Sequence, residues 1–296
     1  MIPKNNIDIY PNNIQQNIDT IRNIIQALGF NNFVPLNQYS KILSSSAYQI
    51  TQKWLSGRKY CRTFFIQQAF QKFYPNQHTL ISLQIDALVN ILDDLLDENL
   101  EKGEKTLYVL EFLRVFSLHE NNCPEKFKQL LGRYINQLIT LAIAEEYYQK
   151  MVQQENNIEK IIQWSINLLL CRGMDINIFT EIALSKLELP NNEKDFIKTS
   201  AQVFRANNIL KKDIDDIKHD QKNSIKTMVT LILSKNEIEF SSYLTKVSNH
   251  LFQKIKSILY NQKPTLSPIT YSIINNLYQM TTNEQKIISS YGEHID

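Results

Sequence analysis

Glycine and proline are scarce in this sequence, with six Gly and eight Pro among 296 residues. Together they make up about 5% of the chain, whereas the average usage of the two residues is roughly 12%. Because these residues form most tight turns, a chain with so few of them favours long helices over many short strands. The hydrophobic fraction of 43% is large enough to form a substantial core, which excludes a globally disordered chain.

The sequence also lacks an excess of charge of either sign. It has 32 Lys and Arg against 30 Asp and Glu, a formal net charge of +2, and it contains no block of basic residues. Proteins that bind nucleic acid through bulk charge need clustered Lys and Arg to contact phosphates. A nucleic-acid partner is therefore not expected.

Cysteine is rare, and Cys61, Cys123 and Cys171 are far apart in the chain. Their odd number and the lack of CxxC spacing exclude a disulfide framework and a zinc site, and are typical of a reducing compartment. The N-terminal sequence MIPKNNIDIYP has no apolar signal-peptide core, and no stretch approaches the roughly 18 apolar residues that a membrane span needs. We expect a soluble, cytoplasmic protein with no stable membrane insertion.

Helical periodicity runs along almost the whole sequence. Ile14, Ile18, Ile21, Ile25 and Leu28 recur at helical intervals before a Gly, which is typical of a helix and its C-terminal stop. The same pattern predicts helices at about 13–28, 36–56, 59–74, 79–100, 104–119, 124–153, 157–187, 192–220, 223–234, 237–262 and 267–280. No alternating strand pattern, repeat period or long linker is present. We therefore predict an all-α fold, with residues 1–296 in a single-domain helical bundle.

An acidic cluster lies near the end of the predicted helix that carries it. Asp93 and Asp97 are one turn apart, and Asp94 lies on the same side as Asp86 and Asn90. Carboxylates at the C-terminal end of a helix repel one another and are unfavourable beside the helix dipole unless water or a cation neutralises them. Mg²⁺ prefers such oxygen ligands. The segment indicates either a solvated acidic helix end or part of a magnesium site.

A second polar stripe follows more than a hundred residues later. Asn208, Lys212, Asp216 and Asp220 step by four residues and so share one side of a predicted helix. This stripe is either a charged solvent face or a second metal-binding face. Two acidic faces on separate helices of a bundle can bind metal ions between them.

These two segments resemble the metal motifs of class I terpene synthases. Asp93-Asp94-Leu-Leu-Asp97 is similar to the DDxxD motif of that family, and the segment from Lys212 to Asp220 fits the spacing of its second motif, (N/D)DxxSxxxE. The resemblance covers roughly residues 50–291 and implies a class I terpenoid synthase-like helical bundle. It also implies that Asp93, Asp94 and Asp97 bind Mg²⁺.

A third segment, Arg172-Gly-Met-Asp175-Ile176, is similar to the part of these enzymes that senses the substrate diphosphate. The resemblance implies that Arg172 is the sensing arginine, Asp175 the linker and Ile176 the effector, on a broken helix. These three are the catalytic residues that it assigns to this chain. The family's Arg-Tyr pair near the C-terminus is not found, because Tyr291 follows Ser290.

The second metal motif departs from the family pattern at three positions. Lys212 replaces the usual Asn, Asp216 the Ser and Asp220 the Glu. Asp216 and Asp220 are then the expected Mg²⁺ ligands, because a protonated Lys has no lone pair to offer a metal. Either Lys212 contacts the diphosphate directly, or Asn208, one turn earlier, supplies the missing amide oxygen. Further candidate diphosphate contacts are Arg205 and Lys222.

The activity implied by the resemblance is ionisation of a linear prenyl diphosphate, farnesyl or geranylgeranyl diphosphate, followed by cyclisation or rearrangement of the carbocation. The products are a terpene hydrocarbon or alcohol and free diphosphate. The implied cofactor is Mg²⁺, as three ions bound with the substrate diphosphate, and the family also implies a homodimer. The metal is needed because a Lewis acid must neutralise the leaving group before the C–O bond breaks.

Such a carbocation also needs a closed, mostly apolar cavity, where each aromatic face stabilises it by about 0.5–2 kcal/mol. The candidate lining residues are Trp54, Phe64, Phe65, Tyr74, Trp164 and Phe179, although an aromatic residue at helical spacing normally fills the interior of a bundle. If Asp86 or Asn90 faces that cavity, it could position a water molecule that gives an alcohol product.

Two other functions stay open from the sequence. A prenyl-elongating synthase shares the all-α fold, but it usually has two arginines soon after its first motif, where this chain has NLEKGEK. Its second motif is DDxxD, and the segment from Asp215 to Asp220 is one residue longer. The other alternative is a non-catalytic helical protein with a degenerate metal site. The sequence has no Gly-rich phosphate loop or nucleophile elbow, which excludes P-loop and serine-hydrolase chemistry.

Overall fold

The computed structural model describes residues 61–97, 102–235, 238–262 and 265–292. Within these ranges the regular structure is helical and no strand occurs, so the predicted all-α class is confirmed. None of the described helices is long and apolar enough to cross a membrane. The predicted helices at 13–28 and 36–56 lie outside the described residues.

The described residues form two compact units. The first contains residues 61–63 and 77–123, and the second contains residues 64–76 and 124–292. The assignment of residues 1–296 to one domain stays a prediction.

The first unit is built on two long helices. Helix α1 (Cys61–Phe70) begins in this unit, and α2 (Thr79–Asp97) and α3 (Lys102–Asn122) pack against each other. Every residue from Ile81 to Val89 is buried, so α2 is surrounded by protein along this stretch. The acidic cluster therefore lies at the end of a buried, largely apolar helix.

The second unit has one central helix with others packed around it. In chain order its helices are α4 (Glu125–Gln154), α5 (Ile158–Arg172), α6 (Asn177–Leu184), α7 (Asn191–Asp215), α8 (Ile217–Asn223), α9 (Met228–Leu233), α10 (Phe240–Gln262) and α11 (Pro268–Gly292). The central helix is α7, which packs against α5, α6, α10 and α11. Its buried apolar side chains include Ala201, Phe204, Ala206 and Leu210. Polar side chains of four neighbouring helices can therefore meet along α7.

Side-chain caps explain where several of these helices begin and end. The side-chain oxygen of Asn157 accepts hydrogen bonds from the backbone N–H groups of Glu159 and the next residue at the start of α5. Thr227 and Thr230 form a capping box that starts α9. Ser224, with a φ of 57°, ends α8 in the left-handed conformation. The Asn and Thr caps agree with the general preference of these residues for helix N-termini.

One predicted helix is interrupted within the second acidic motif. The prediction of a single helix at 192–220 is wrong, because α7 ends at Asp215 and α8 begins after Asp216. The interruption is slight: the backbone N–H of Asp216 donates to the carbonyl of Lys212, and that of Asp220 donates to the carbonyl of Asp216, both at 2.9 Å. The polar stripe thus bends at Asp216 but keeps its helical hydrogen bonds.

Two other boundaries also differ from the prediction. The helix predicted at 223–234 begins only at Met228, because the left-handed residue and the Thr cap before it place a loop there. The helix predicted at 267–280 continues to Gly292. Its apolar period continues as well, since Ile288 is only 1% exposed. Helix α11 is therefore long enough to reach the C-terminal end of α7.

Candidate functional site

The chain is broken at the segment that resembles the diphosphate sensor. Helix α5 ends at Arg172, a 3-10 turn covers Gly173–Ile176, and α6 begins at Asn177. The apolar period alone predicted one helix at 157–187, which is wrong, whereas the broken helix implied by the resemblance is confirmed. The break leaves Arg172 in the last turn of α5.

Close packing against α7 causes the break. A Cβ atom at Gly173 would lie 2.6 Å from the backbone oxygen of Gln202 and 3.0 Å from the backbone nitrogen of Ala206. No side chain fits in this space, so a glycine is needed. The side chain of Gln202 also donates a hydrogen bond of 2.8 Å to the carbonyl of Leu170, one of the last carbonyls of α5. Helix α7 therefore both caps α5 and contacts the turn that follows it.

Arg172 is surrounded by carboxylates. Its Nη1 atom donates to Oδ2 of Asp213 at 2.6 Å, and its Nε atom lies 3.2 Å from Oε1 of Glu145. Burial would lower the pKa of Arg172, but the carboxylates of Asp213, Glu145 and Asp175 outweigh it and raise the pKa above its usual range. The side chain is 23% exposed. Arg172 is therefore a permanently charged cation that solvent can still reach.

The linker position carries a buried ion pair. Asp175, 7% exposed, accepts hydrogen bonds from Arg205 Nε at 3.0 and 3.1 Å and from Nη2 at 2.9 Å. The third nitrogen, Nη1, donates to the side-chain oxygen of Asn208 at 2.8 Å. Ile176 is fully buried. Arg205, predicted as a diphosphate contact, thus directs its guanidinium towards Asp175 and Asn208.

Asn208 continues this network to the last helix. Its Nδ2 atom donates to Oε1 of Glu284 at 3.0 Å. Burial raises the pKa of Glu284, although Asn208 and Lys211 act in the opposite direction. The amide oxygen of Asn208 was suggested as a metal ligand. In the structure this oxygen already accepts a hydrogen bond from Arg205.

The second motif places three carboxylates within electrostatic reach of one another. Asp220 is 6% exposed, and its Oδ1 atom lies 3.5 Å from His219 Nδ1. Burial is the main cause that raises the pKa of Asp220; His219 opposes it, and the negative charges of Asp213 and Asp216 add to it. Carboxylates that repel one another are stabilised by a cation. This arrangement can therefore attract a divalent ion.

The donor set suits Mg²⁺ bound together with phosphate. Among the described side chains, no group of three His, Cys, Asp or Glu is arranged to hold a metal ion. Mg²⁺ usually needs only one or two carboxylates when phosphate oxygens and water complete its octahedron. Asp216 and Asp220 offer such a pair, with Asp216 half-buried. The assignment of Mg²⁺ to these residues stays a prediction.

Several cations and a tyrosine surround this end of α7. Lys212 and Lys222, both predicted to contact diphosphate, are exposed. Lys211 donates to Asp215 at 2.6 Å, and the same carboxylate accepts from the hydroxyl of Tyr291 at the end of α11. This hydrogen bond is the main reason why the pKa of Tyr291 is raised. Tyr291 thus contacts α7 through its hydrogen bond to Asp215.

The first acidic motif lies in the first unit, within the last turns of α2. Asp97 is the final residue of that helix, Asp93 is one turn earlier, and Asp94 is half-buried. The side chains of Asp93 and Asp97 are outside the described part of the structure. The helical placement of the motif agrees with the prediction, and its assignment as a metal site stays a prediction.

Asp86 has partners that differ from the expected water molecule. Its Oδ1 atom is 3.3 Å from Nη1 of Arg62, and its Oδ2 atom accepts from the backbone N–H of Thr63 at 2.9 Å. Arg62 Nη1 also donates to Asn90 at 3.1 Å. Burial raises the pKa of Asp86, against the effect of Arg62 and Thr63. The two polar residues therefore belong to a buried ion-pair network of the first unit.

The aromatic residues suggested as a cavity lining are mostly packed in the core. Phe65 is 7% exposed and contacts Phe204 edge-to-face, with ring centroids 5.2 Å apart. Tyr74 and Phe179 are also buried, at 6% and 1% exposure. Phe64 and Trp164 are partly exposed. Trp54 lies outside the described residues. Their role at a carbocation stays a prediction.

Three polar residues of the network were not predicted from the sequence. Glu145 is on α4, far from any motif, and Glu284 lies beyond the predicted end of the last helix. Asp213 was within reach of prediction, because it is the acidic residue directly after Lys212 in the motif. A long α11 could have been recognised from the apolar residues that follow Glu284.

Comparison of the chain with known protein families, with curated proteins and with solved structures finds no match in any of the three. The function is therefore inferred from the residues of this chain and their geometry.

Proposed function

We propose that this chain is a Mg²⁺-dependent class I terpene synthase, which ionises a linear prenyl diphosphate and cyclises or rearranges the carbocation. The observation that supports the proposal is the position of Arg172. It lies at a helix break, 2.6 Å from Asp213, in the motif that also carries Asp216 and the buried Asp220. A solvent-accessible cation beside crowded carboxylates provides both of the charges that a metal diphosphate needs.

The carboxylates have the role of holding the ions. Asp216 and Asp220 would bind Mg²⁺ in the second motif, and Asp93, Asp94 and Asp97 are the proposed Mg²⁺ ligands of the first motif. When bound, Mg²⁺ neutralises the diphosphate as a Lewis acid.

Arg172 binds the leaving group. It would exchange Glu145, its more exposed partner at 37%, for a diphosphate oxygen. As the allylic C–O bond breaks, its electron pair passes to the diphosphate, and the fixed charge of Arg172 stabilises this product more than the intact ester. The exposed cations Lys212 and Lys222 are placed to contact the same group. The carbocation ends as a hydrocarbon by proton loss or as an alcohol by addition of water.

The substrate we favour is farnesyl or geranylgeranyl diphosphate. A cytoplasmic location and a homodimer are proposed with the function, on the sequence and its resemblance alone. Neither is needed for the chemistry described above.

The test is turnover of three prenyl diphosphates. Purified protein is incubated with geranyl, farnesyl or geranylgeranyl diphosphate, with and without Mg²⁺, and the organic extract is examined by gas chromatography and mass spectrometry. We expect a Mg²⁺-dependent terpene from one of the three. Asp220→Asn should reduce its rate at least roughly 100-fold, because it removes a metal ligand.

The matched control is Asp195→Asn, the same change at an exposed carboxylate of α7 that is paired with Lys198 at 2.9 Å. It should leave turnover unchanged. A longer prenyl diphosphate formed only with added isopentenyl diphosphate would replace the proposal with chain elongation. No turnover of any substrate would favour a non-catalytic protein.

A further inference from the structure

Helix α7 contacts the helix break at three residues, through both side-chain and backbone atoms. Gln202 hydrogen-bonds to the carbonyl of Leu170, and the backbone at Gln202 and Ala206 touches Gly173. One residue earlier than Ala206, Arg205 holds the carboxylate of Asp175. A single helix, α7, thus contacts the turn Gly173–Ile176 from one side.

The described hydrogen bonds of Arg205 are all made inside the protein. All three of its nitrogens donate hydrogen bonds, two of them to Asp175 and one to Asn208. The residue is only 8% exposed. This guanidinium is buried and directed towards Asp175 and Asn208, whereas Arg172 is partly exposed to solvent.

The orientation of this guanidinium is itself fixed. Asn208 accepts from Nη1 of Arg205 through its oxygen and donates through its nitrogen to Glu284 on α11. Because the amide is held at both ends, it cannot turn without losing one of these bonds. The planar, five-donor fork of arginine therefore keeps one geometry towards Asp175.

We propose that Arg205 is a positioning residue: by holding Asp175, it fixes the turn Gly173–Ile176 and so sets the orientation in which Arg172 binds a diphosphate. The first step, that Arg205 holds the turn, stands on the contacts alone. The last step, that this matters for anion binding, rests on the proposed function. The two steps can be tested separately.

The first experiment measures the turn itself. Hydrogen–deuterium exchange of peptides covering residues 169–178 is followed by mass spectrometry in the full-length protein and in Arg205→Gln. We expect exchange in this segment to be faster by about tenfold or more, because the substitution removes the buried ion pair that keeps the segment from opening. The matched control is Arg133→Gln, which removes an exposed arginine paired with Glu181 at 3.0 Å and should not change this segment.

The second experiment measures anion binding. The affinity of each protein for inorganic pyrophosphate with Mg²⁺ is determined by titration calorimetry, well below its unfolding temperature, so that reduced stability alone does not change the result. Arg205→Gln should bind pyrophosphate about tenfold or more weakly than the wild type. Arg205→Lys, which keeps the charge but not the fork, should fall between them and serves if Arg205→Gln does not fold.

Unchanged exchange at 169–178 in both Arg205 variants would overturn the first step. Faster exchange with unchanged pyrophosphate affinity would overturn the last step. A wild-type protein that does not bind Mg²⁺-pyrophosphate would refute the proposed function and the last step together, while the exchange result would still decide the first.

Discussion

Of the two glycines whose surroundings are described, Gly173 is the one at which an added methyl group has no space. In Gly173→Ala the new Cβ would meet the backbone oxygen of Gln202 at 2.6 Å, and backbone cannot move aside as a flexible side chain can. We expect a loss of about 1–3 kcal/mol in the free energy of unfolding, measured by urea denaturation.

Gly132→Ala is the matched control for this prediction. Gly132 is exposed in the middle of α4, and a Cβ atom there would meet nothing within 4 Å. Alanine is the better helix former, so this variant should gain about 0.5–1 kcal/mol. Equal effects of the two substitutions would show that α7 does not approach the break as closely as described.

The pair formed by Asp86 and Arg62 gives a second prediction at the residue scale. The two side chains are 0% and 7% exposed, so Asp86→Ala leaves a buried charge without this partner. We expect a loss of about 3–5 kcal/mol in unfolding free energy, seen as a lower urea midpoint. The double variant Arg62→Met with Asp86→Leu should recover most of the loss. A double variant as unstable as the single one would contradict this account.

Glu193 connects two helices of the second unit. This buried carboxylate, near the start of α7, accepts from the hydroxyls of Ser267, at 2.5 Å, and Thr270, and from the backbone N–H of Ser267 at 3.3 Å. These groups lie at the first turn of α11, where the helix dipole favours a negative charge. Glu193 therefore serves as the N-terminal cap of a different helix.

The stabilisation from Glu193 should depend on pH. Burial would raise the pKa of Glu193, but the hydrogen bonds from Ser267 and Thr270 outweigh it and lower the pKa below its ordinary value. A lowered pKa in the folded state means that stability is present above about pH 4.3 and is lost as the pH falls through the folded pKa. Glu193→Gln should be less stable than the wild type by about 1 kcal/mol at pH 7. The difference should shrink towards pH 3 in thermal unfolding; a constant difference would argue against the cap.

Element types were predictable from the apolar period, but several ends were not. The period runs without interruption through 157–187, whereas the break there depends on contact between Gly173 and α7, a helix that follows later in the chain. Only the resemblance of the segment at 172–176 predicted that break. The last helix was predicted to end at 280, yet it continues through Glu284, which contacts α7.

The roles of charged residues were less predictable than their positions. A pattern of charges shows that Arg205 lies on a polar part of α7, but not that its partner is Asp175, 30 residues earlier. For that reason Arg205 was predicted as a diphosphate contact. Arg172 was assigned from its motif, and its contact with Asp213 places it beside the second acidic motif.

On the scale of the whole molecule, Mg²⁺ and diphosphate together should stabilise the fold more than either ligand alone. The carboxylates alone attract the metal, and Arg172 alone attracts the anion, but each ligand also neutralises the charge that repels the other from the site. With both ligands at about 100 times their dissociation constants, we expect a rise of about 5–10 °C in the unfolding temperature.

Thermal unfolding with inorganic pyrophosphate and Mg²⁺, separately and combined, checks this expectation. Asp220→Asn should lose the combined effect and Asp195→Asn should keep it. An equal rise with pyrophosphate alone would indicate a purely cationic site without a metal.

The contacts of α7 with the helix break also determine where residues can be inserted into the chain or deleted from it. Each added residue turns the rest of a helix by about 100°. A single insertion in α7 just after Gln202 would turn Arg205, Ala206 and Asp213 away from Asp175, Gly173 and Arg172 at once. The exposed residues near Lys186 lie between α6 and α7, so an insertion there would not rotate one part of α7 relative to another. Changes in chain length should therefore be tolerated in that loop and selected against within α7.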